Sequence, residues 1–522
     1  MIFIIVNSHL RKVFLLILNS KPKHANNTYK METLVQEKKT INNGFAISQY
    51  PDIKPIYKKL DHLVSLPLQN IQLDKMEGYL DYYKDNCAKS KEIFEKARQF
   101  IPGGVQHNLA FNYPFPLAFT KAEGAYLYDA DGNKYIDFLQ AGGPTVLGSN
   151  YPYVREKCIE LLNECGPSTG LLHEYESKLA ELVCENIASV DQFRMLGSGT
   201  EAVLGALRLA RIKTGKSKII KIGGAYHGWS DQMVYDLRIP GTRFFDAKGI
   251  PFMMHWHTQA VPPNDIEALE RTLKWNRIRG GTAAVILEPL GPESGTYPVY
   301  KEYCADIRAL CDQYGALLIF DEVVTAFRIG MSGAQGYFGV TPDLTIFGKV
   351  IAGGYPGAGG IGGKAEYMDG LAAGLQGGKK VKVGGTMAAN PLSCCAGYYT
   401  LKEIKKEQAC EKAGQAGDRI TKGLNTLIDK YDLPFVAYNQ GSICHLETAG
   451  TLFEKIEILK IKSVLARIDK RKKLMEEYGA AYMAEGIVTL AGSRLYMSMA
   501  DTDEVVDDAL NRFERVFKNV QK

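Results

Sequence analysis

Residues 316–349 read ALLIFDEVVTAFRIGMSGAQGYFGVTPDLTIFGK, and the interpretation of this stretch decides the fold. Ala316 to Phe320 is an unbroken apolar run, the pattern of a strand covered on both faces. Asp321 and Glu322 stand at its carboxyl end, and a second apolar run, Leu344 to Phe347, delivers Gly348 and Lys349. The 28 residues from Asp321 to Lys349 leave room for a turn, a loop and a return. Open α/β sheets bind ligands just outside such strand ends. A carboxylate to hold a pyridinium nitrogen and an amine to form a Schiff base are what pyridoxal phosphate requires. Each residue also has a plain alternative. Asp-Glu after a strand commonly caps the next helix, and Gly-Lys in a loop is commonly solvated.

Working outward, the chain of 522 residues is too long for one small core and suggests two domains. Its 46% apolar and 23% charged content is that of a soluble globular enzyme. A net charge of +5 makes no case for nucleic acid or a membrane surface. The ten cysteines contain no CxxC pair, and adjacent Cys394 and Cys395 are poorly placed to bridge. They are taken as reduced thiols of a cytoplasmic protein. Met1 to Ser20 carries short apolar runs broken by Arg11 and Lys12, too short to span a bilayer and lacking a small-residue cleavage site. An over-extended start before Met31, or a disordered extension, is the expectation. Residues 32–55 look like tail or linker.

The expected domains are an N-terminal extension over 1–59, the first part of a small α+β domain over 60–140, a large domain over 141–395, and the rest of the small domain over 396–522. Asp74 to Arg98 is expected as one helix, and Asp131-Gly132-Asn133 as a hairpin turn. Strands are expected at 192–196, 218–222, 283–287, 317–320 and 344–347, alternating with helices in a mainly parallel sheet. Helix is expected from Asn390-Pro391 to about Tyr431, and again over 501–517.

Met195 to Glu201, MLGSGTE, joins a strand to a helix, where free amides favour a phosphate. The alternative is an ordinary N-cap by Ser198 or Thr200. Tyr226, in AYHGW, is an aromatic able to stack on a heterocycle or simply to pack a loop. Glu288 ends the strand AAVILEP, with Glu293 five residues on. Gly357, Gly359 and Gly362 match GxGxxG, but no helix is evident after them, so no nucleotide site is expected. Thr386 follows two glycines. His255 and His257 lack a third ligand, and no metal is expected.

FDEVVTAFR, GAQGYFGVTPDL and FGKVIAGGYP, with SGTEA, YHG and GGT in order, closely resemble the class III aminotransferases, the group that includes glutamate-1-semialdehyde aminomutase. The resemblance runs from about Ile101 to the C-terminus. It implies the type I fold of pyridoxal-phosphate-dependent transferases: a mainly parallel seven-stranded sheet in a large domain, with a small domain built from both chain ends. It implies that Lys349 binds pyridoxal 5′-phosphate covalently and Asp321 binds the ring nitrogen. Ser198, Gly199 and Thr200 would grip the phosphate, and Tyr226 and Val323 would contact the cofactor. Thr386 would reach the partner's cofactor phosphate in a homodimer with shared active sites. The expected substrates are small molecules, an amine or amino acid donor and a keto acid acceptor.

The alternative within the family is glutamate-1-semialdehyde 2,1-aminomutase, an intramolecular amino transfer; a silent homologue that only binds the cofactor is a further one. Against the aminomutase, IPGGV continues as QHNLAFN without that pattern's Arg, and Glu293 replaces its Asn. Several family aminotransferases pair a Glu there with an Arg near the C-terminus, which implies Arg494 as the partner of Glu293 and the binder of a substrate carboxylate. The alternative for Arg494 is a surface residue.

Overall fold

The computed structural model describes residues 44–374, 379–456 and 460–521. The expectations for residues 1–43 lie outside the described residues. The expected boundary at 59 is corrected by residues 44–59, which are folded. Ala46 N–H donates to the Ile329 carbonyl at 2.7 Å, Ala46 and Ile47 are buried, and a helix begins at Ile53, capped by the Asp52 carboxylate. The described residues all fall within one compact unit.

Its centre is a seven-stranded sheet. In chain order the strands are β1 (Gln192–Leu196), β2 (Lys218–Ile222), β3 (Thr258–Val261), β4 (Thr282–Leu287), β5 (Leu317–Asp321), β6 (Leu344–Gly348) and β7 (Gly359–Gly363). They lie side by side as β1-β7-β6-β5-β4-β2-β3. The run β6 to β3 is parallel, and β7 is antiparallel to both of its neighbours. Every residue of β4 and β6 is buried, which is why these strands are mostly apolar, with only Thr282 and Thr345 polar, rather than alternating. Helix Gly199–Thr214 packs on β7, β6 and β4, while helices Ile266–Arg277 and Tyr303–Tyr314 pack against each other and β4. A further core cluster joins residues 56–138 to residues 416–520, thus both ends of the described chain.

Two expected helices are each broken in two. Asp74–Arg98 splits into Leu73–Asn86 and Ala88–Ala97, because Cys87 leaves the helical region with φ −128° and ψ 35°. The stretch after Asn390 splits at Gln408, which adopts a left-handed φ of 51° between Pro391–Glu407 and Ala409–Lys430. The parallel order puts the carboxyl ends of β4, β5 and β6 side by side, and each strand leads straight into an ionisable residue: Glu288, Asp321 and Lys349.

Candidate active site

Asp321 is the last residue of β5, buried, and paired in register with Ile346 of β6. Its Oδ2 lies 2.7 Å from His227 Nδ1, and its Oδ1 accepts the Val323 N–H at 3.1 Å. Burial lowers the pKa of His227, so the imidazole is neutral, carries its proton on Nδ1 and donates it to the carboxylate. Nε2 is then a buried acceptor with no partner among the described residues. Glu322 does what the plain alternative for this dipeptide expected. It accepts from the Ala334 and Gln335 amides at 2.6 and 3.1 Å and caps the short helix Gly333–Phe338.

Lys349 follows β6 with φ 47°, a left-handed backbone rare for a side chain of its kind and typical of functional positions. It is partly buried, and its amine has no hydrogen-bond or ion-pair partner among the described residues. Val323 is wedged between the two segments expected at the site. A Cβ on Gly348 would fall 2.7 Å from Val323 Cγ1, and one on Gly199 would fall 3.0 Å from Cγ2. Glycine at these two positions is what lets β6 and the start of helix Gly199–Thr214 close on one side chain.

Ser198 caps that helix, its hydroxyl accepting the Glu201 N–H at 3.2 Å, while Glu201 Oε2 accepts the Gly197 N–H at 2.8 Å. The N-cap alternative therefore holds for Ser198, and a helix start with orphan amides remains beside it. Thr200 touches the Tyr226–Gly228 loop, where a Cβ on Gly228 would meet Thr200 Oγ1 at 2.5 Å. Tyr226 is 47% exposed and lies close enough to Asp321 to feel its charge. Lys221, fully buried on β2, underlies this loop and donates to the carbonyls of Ala225, Met233 and Tyr235 at 2.8, 3.3 and 2.7 Å. Burial pushes its pKa down to about 8.

On the other side, Arg494 is no surface residue. It lies in the strand Arg494–Tyr496, its side chain 12% exposed, with Nη2 3.7 Å from Glu293 Oε2 and 2.7 Å from Thr296 Oγ1. Its Nε is buried with no partner among the described residues. Burial opposes its charge, but Tyr496 and Glu293 outweigh this and raise its pKa. Glu293 and Ser294 sit in a turn with φ 48° and 52°. Glu288 accepts the amides of Tyr226 and Glu293 at 3.1 and 2.7 Å, and the Ser294 hydroxyl at 3.1 Å.

These contacts link the segments that carry Ser198, Gly199, Thr200, Tyr226, Asp321, Val323, Glu293 and Arg494, and Lys349 directly follows Gly348, which packs on Val323. Thr386 stands apart: it is exposed in a turn, though a Cβ on its neighbour Gly385 would approach Glu201 Oε2 at 3.4 Å. His255 packs on Tyr235 and Phe244, and no cluster of three ligating side chains occurs among the described residues. Neither His227 nor Lys221 is among the candidate residues read from the sequence. The strand KIIKI was a signal for the latter, since it carries a charge at a position the sheet covers.

The donor set fits pyridoxal phosphate: an unpartnered lysine amine, a buried carboxylate one strand away, a half-exposed tyrosine and a helix start gather at the same strand ends. The family model for Aminotransferase class-III matches residues 110–517. Glutamate-1-semialdehyde 2,1-aminomutase 2 of Exiguobacterium sp. is 37% identical over 450 residues, covering 84% of this chain and 98% of that relative. An omega-transaminase from Sphaerobacter thermophilus superposes with a TM-score of 0.73 at 27% identity, covering 84% of this chain and 99% of its own. A transaminase with PLP bound gives a TM-score of 0.73 at 26% identity, covering 83% and 97%. Among the described residues, no helix is long and apolar enough to cross a membrane. The cofactor is pyridoxal 5′-phosphate, and the chain is an enzyme that belongs to the class-III aminotransferase family.

Proposed function

We propose that the chain moves an amino group within a small carboxylate-bearing substrate, the 2,1-transfer for which its Exiguobacterium relative is named. The observation that carries this reading is the 37% identity over nearly the whole of that relative. Pyridoxal phosphate supplies the electron sink that stabilises a carbanion beside nitrogen. Lys349 Nζ would move the proton between the substrate carbon and the cofactor carbon bonded to the same nitrogen, a task for one base within reach of both atoms. Asp321 keeps a proton on the ring nitrogen, and His227 holds the Asp321 carboxylate in place. Ser198, Gly199 and Thr200 hold the phosphate at the helix start, and Tyr226 and Val323 contact the ring. Arg494 binds the substrate carboxylate once Glu293 gives way, because a guanidinium left unpaired there is costly. Thr386 completes the phosphate site of a second copy, so the enzyme is a homodimer. Its ten cysteines, none of them in a CxxC pair, fit a reducing compartment such as the cytoplasm.

A second reading, ping-pong transamination between an amine or amino acid and a keto acid, is favoured by the Glu293–Arg494 contact. A movable plug suits a site that must take unlike substrates in turn. Incubating the holoenzyme with glutamate-1-semialdehyde alone separates the two. Formation of 5-aminolevulinate without an acceptor is the expected result. No product until pyruvate or 2-oxoglutarate and an amine donor are supplied would overturn the first reading in favour of the second.

A further inference from the structure

Glu288 sits at the end of β4 between the two halves of the site and belongs to neither. Its Oε1 accepts the Tyr226 N–H at 3.1 Å and the Glu293 N–H at 2.7 Å. Its Oε2 accepts the Ser294 N–H and, at 3.1 Å, the Ser294 hydroxyl. Two of the residues it holds, Glu293 and Ser294, are in the left-handed region, which for non-glycine side chains costs on the order of 1 kcal/mol each. Such a turn persists only where its surroundings fix it, and a buried carboxylate with four donors is a strong fixture. We infer that Glu288 is a positioning residue that couples the loop of Tyr226 to the turn of Glu293, so that the aromatic contact and the Glu293–Arg494 plug move together. The inference rests on the reading of Tyr226 as a cofactor contact and of Glu293 as the plug.

The charges around Glu288 make the coupling depend on pH. Burial, then Asp321 from β5 and Glu293 from its own turn, push its carboxyl up to about 7. Lys221 beneath the loop and Arg494 opposite both interact with it in the other sense. Above about 7 the group is a carboxylate and accepts all four donors. As the pH falls through that value it gains a proton that has to be donated, one acceptor site is lost, and the two segments loosen together.

The test is amide hydrogen exchange on the full chain, with and without pyridoxal phosphate, beside the circular dichroism of the bound cofactor. In Glu288→Gln the amides of Tyr226 and of Glu293–Ser294 should exchange faster together, on the order of tenfold, as expected for loss of a charge-assisted hydrogen bond. The cofactor dichroism should weaken in the same variant, and Glu288→Asp should recover part of both. In the wild type, after correction for intrinsic exchange, both segments should lose protection around one shared midpoint near about 7. This second measurement decides the matter if the variant does not fold. Exchange that changes in one segment only, in neither, or at two separate midpoints overturns the coupling. The exchange of the cofactor-free protein keeps this outcome separate from a failure of the cofactor reading, which would show as no cofactor signal even in the wild type.

Discussion

Two acid–base pairs stand at the same strand ends and are built in opposite ways. His227 and Asp321 meet at 2.7 Å, both buried, with the second carboxylate oxygen also engaged by the Val323 amide. Glu293 and Arg494 stand 3.7 Å apart, with side chains 24% and 12% exposed, in contact by charge and not by a hydrogen bond. Breaking the first pair would strand a charge in a dry interior, which costs several kcal/mol as an order of magnitude. Breaking the second leaves Arg494 with Thr296 and with the Tyr496 hydroxyl at 3.4 Å, while Glu293 has a path toward water. One pair fixes a carboxylate, and under the proposed function the other opens for a substrate's carboxylate. Distance and the number of remaining partners, rather than the residue types, separate them.

Substitutions at three residues break or sharpen this contrast. Asp321→Asn should have the largest effect, since it keeps the shape but removes the charge at the reacting centre. A fall in kcat of about a hundred- to a thousandfold is expected, the scale set by single electrostatic contacts in active sites. Retention of near-normal kcat would remove the fixed pair from the mechanism. Arg494→Ala should raise the KM for the carboxylate substrate about ten- to a hundredfold with kcat largely spared, the mark of a lost binding contact. An unchanged KM would mean that the second pair does not open for substrate. The smallest effect is expected from His227→Asn, whose amide can stand in for Nδ1, with a loss of no more than about tenfold. His227→Leu, which leaves Asp321 without this donor, should be clearly worse. Equal kcat in the Asn and Leu variants would show that the bond to Asp321 does not matter.

Where the sequence carried a run of one hydrophobic pattern, it located the element to the residue. β1 and β2 fall at 192–196 and 218–222 as expected, and β4, β5 and β6 differ by a single residue at one end. β7 escaped because GGIGG has the composition of a loop. Its glycines are there for room: a Cβ on Gly359 would collide with the Ser198 carbonyl, and one on Gly360 would lie 2.4 Å from the Phe193 ring. Residues 44–59 escaped for a different reason. Their anchoring is a long-range backbone bond to Ile329 and edge-on packing of Phe45 against Tyr337, neither of which leaves a local periodicity. In the site, Asp321 and Lys349 were legible because each ends an apolar run. The hub formed by Glu288 was not, since its donors come from loops 62 and about 5 residues away that only the folded sheet brings to one oxygen.

The central claim is that β5 and β6 bring Asp321 and Lys349 together as the seat of covalently bound pyridoxal phosphate. The most direct test is the visible absorbance of the purified protein after addition of the cofactor and removal of the excess. The account predicts a bound-cofactor band in the wild type that borohydride reduction fixes to the chain at Lys349, as located by peptide mapping, and no such attachment in Lys349→Ala. A wild-type protein that acquires no band, or a Lys349→Ala variant that still attaches the cofactor covalently, would contradict it.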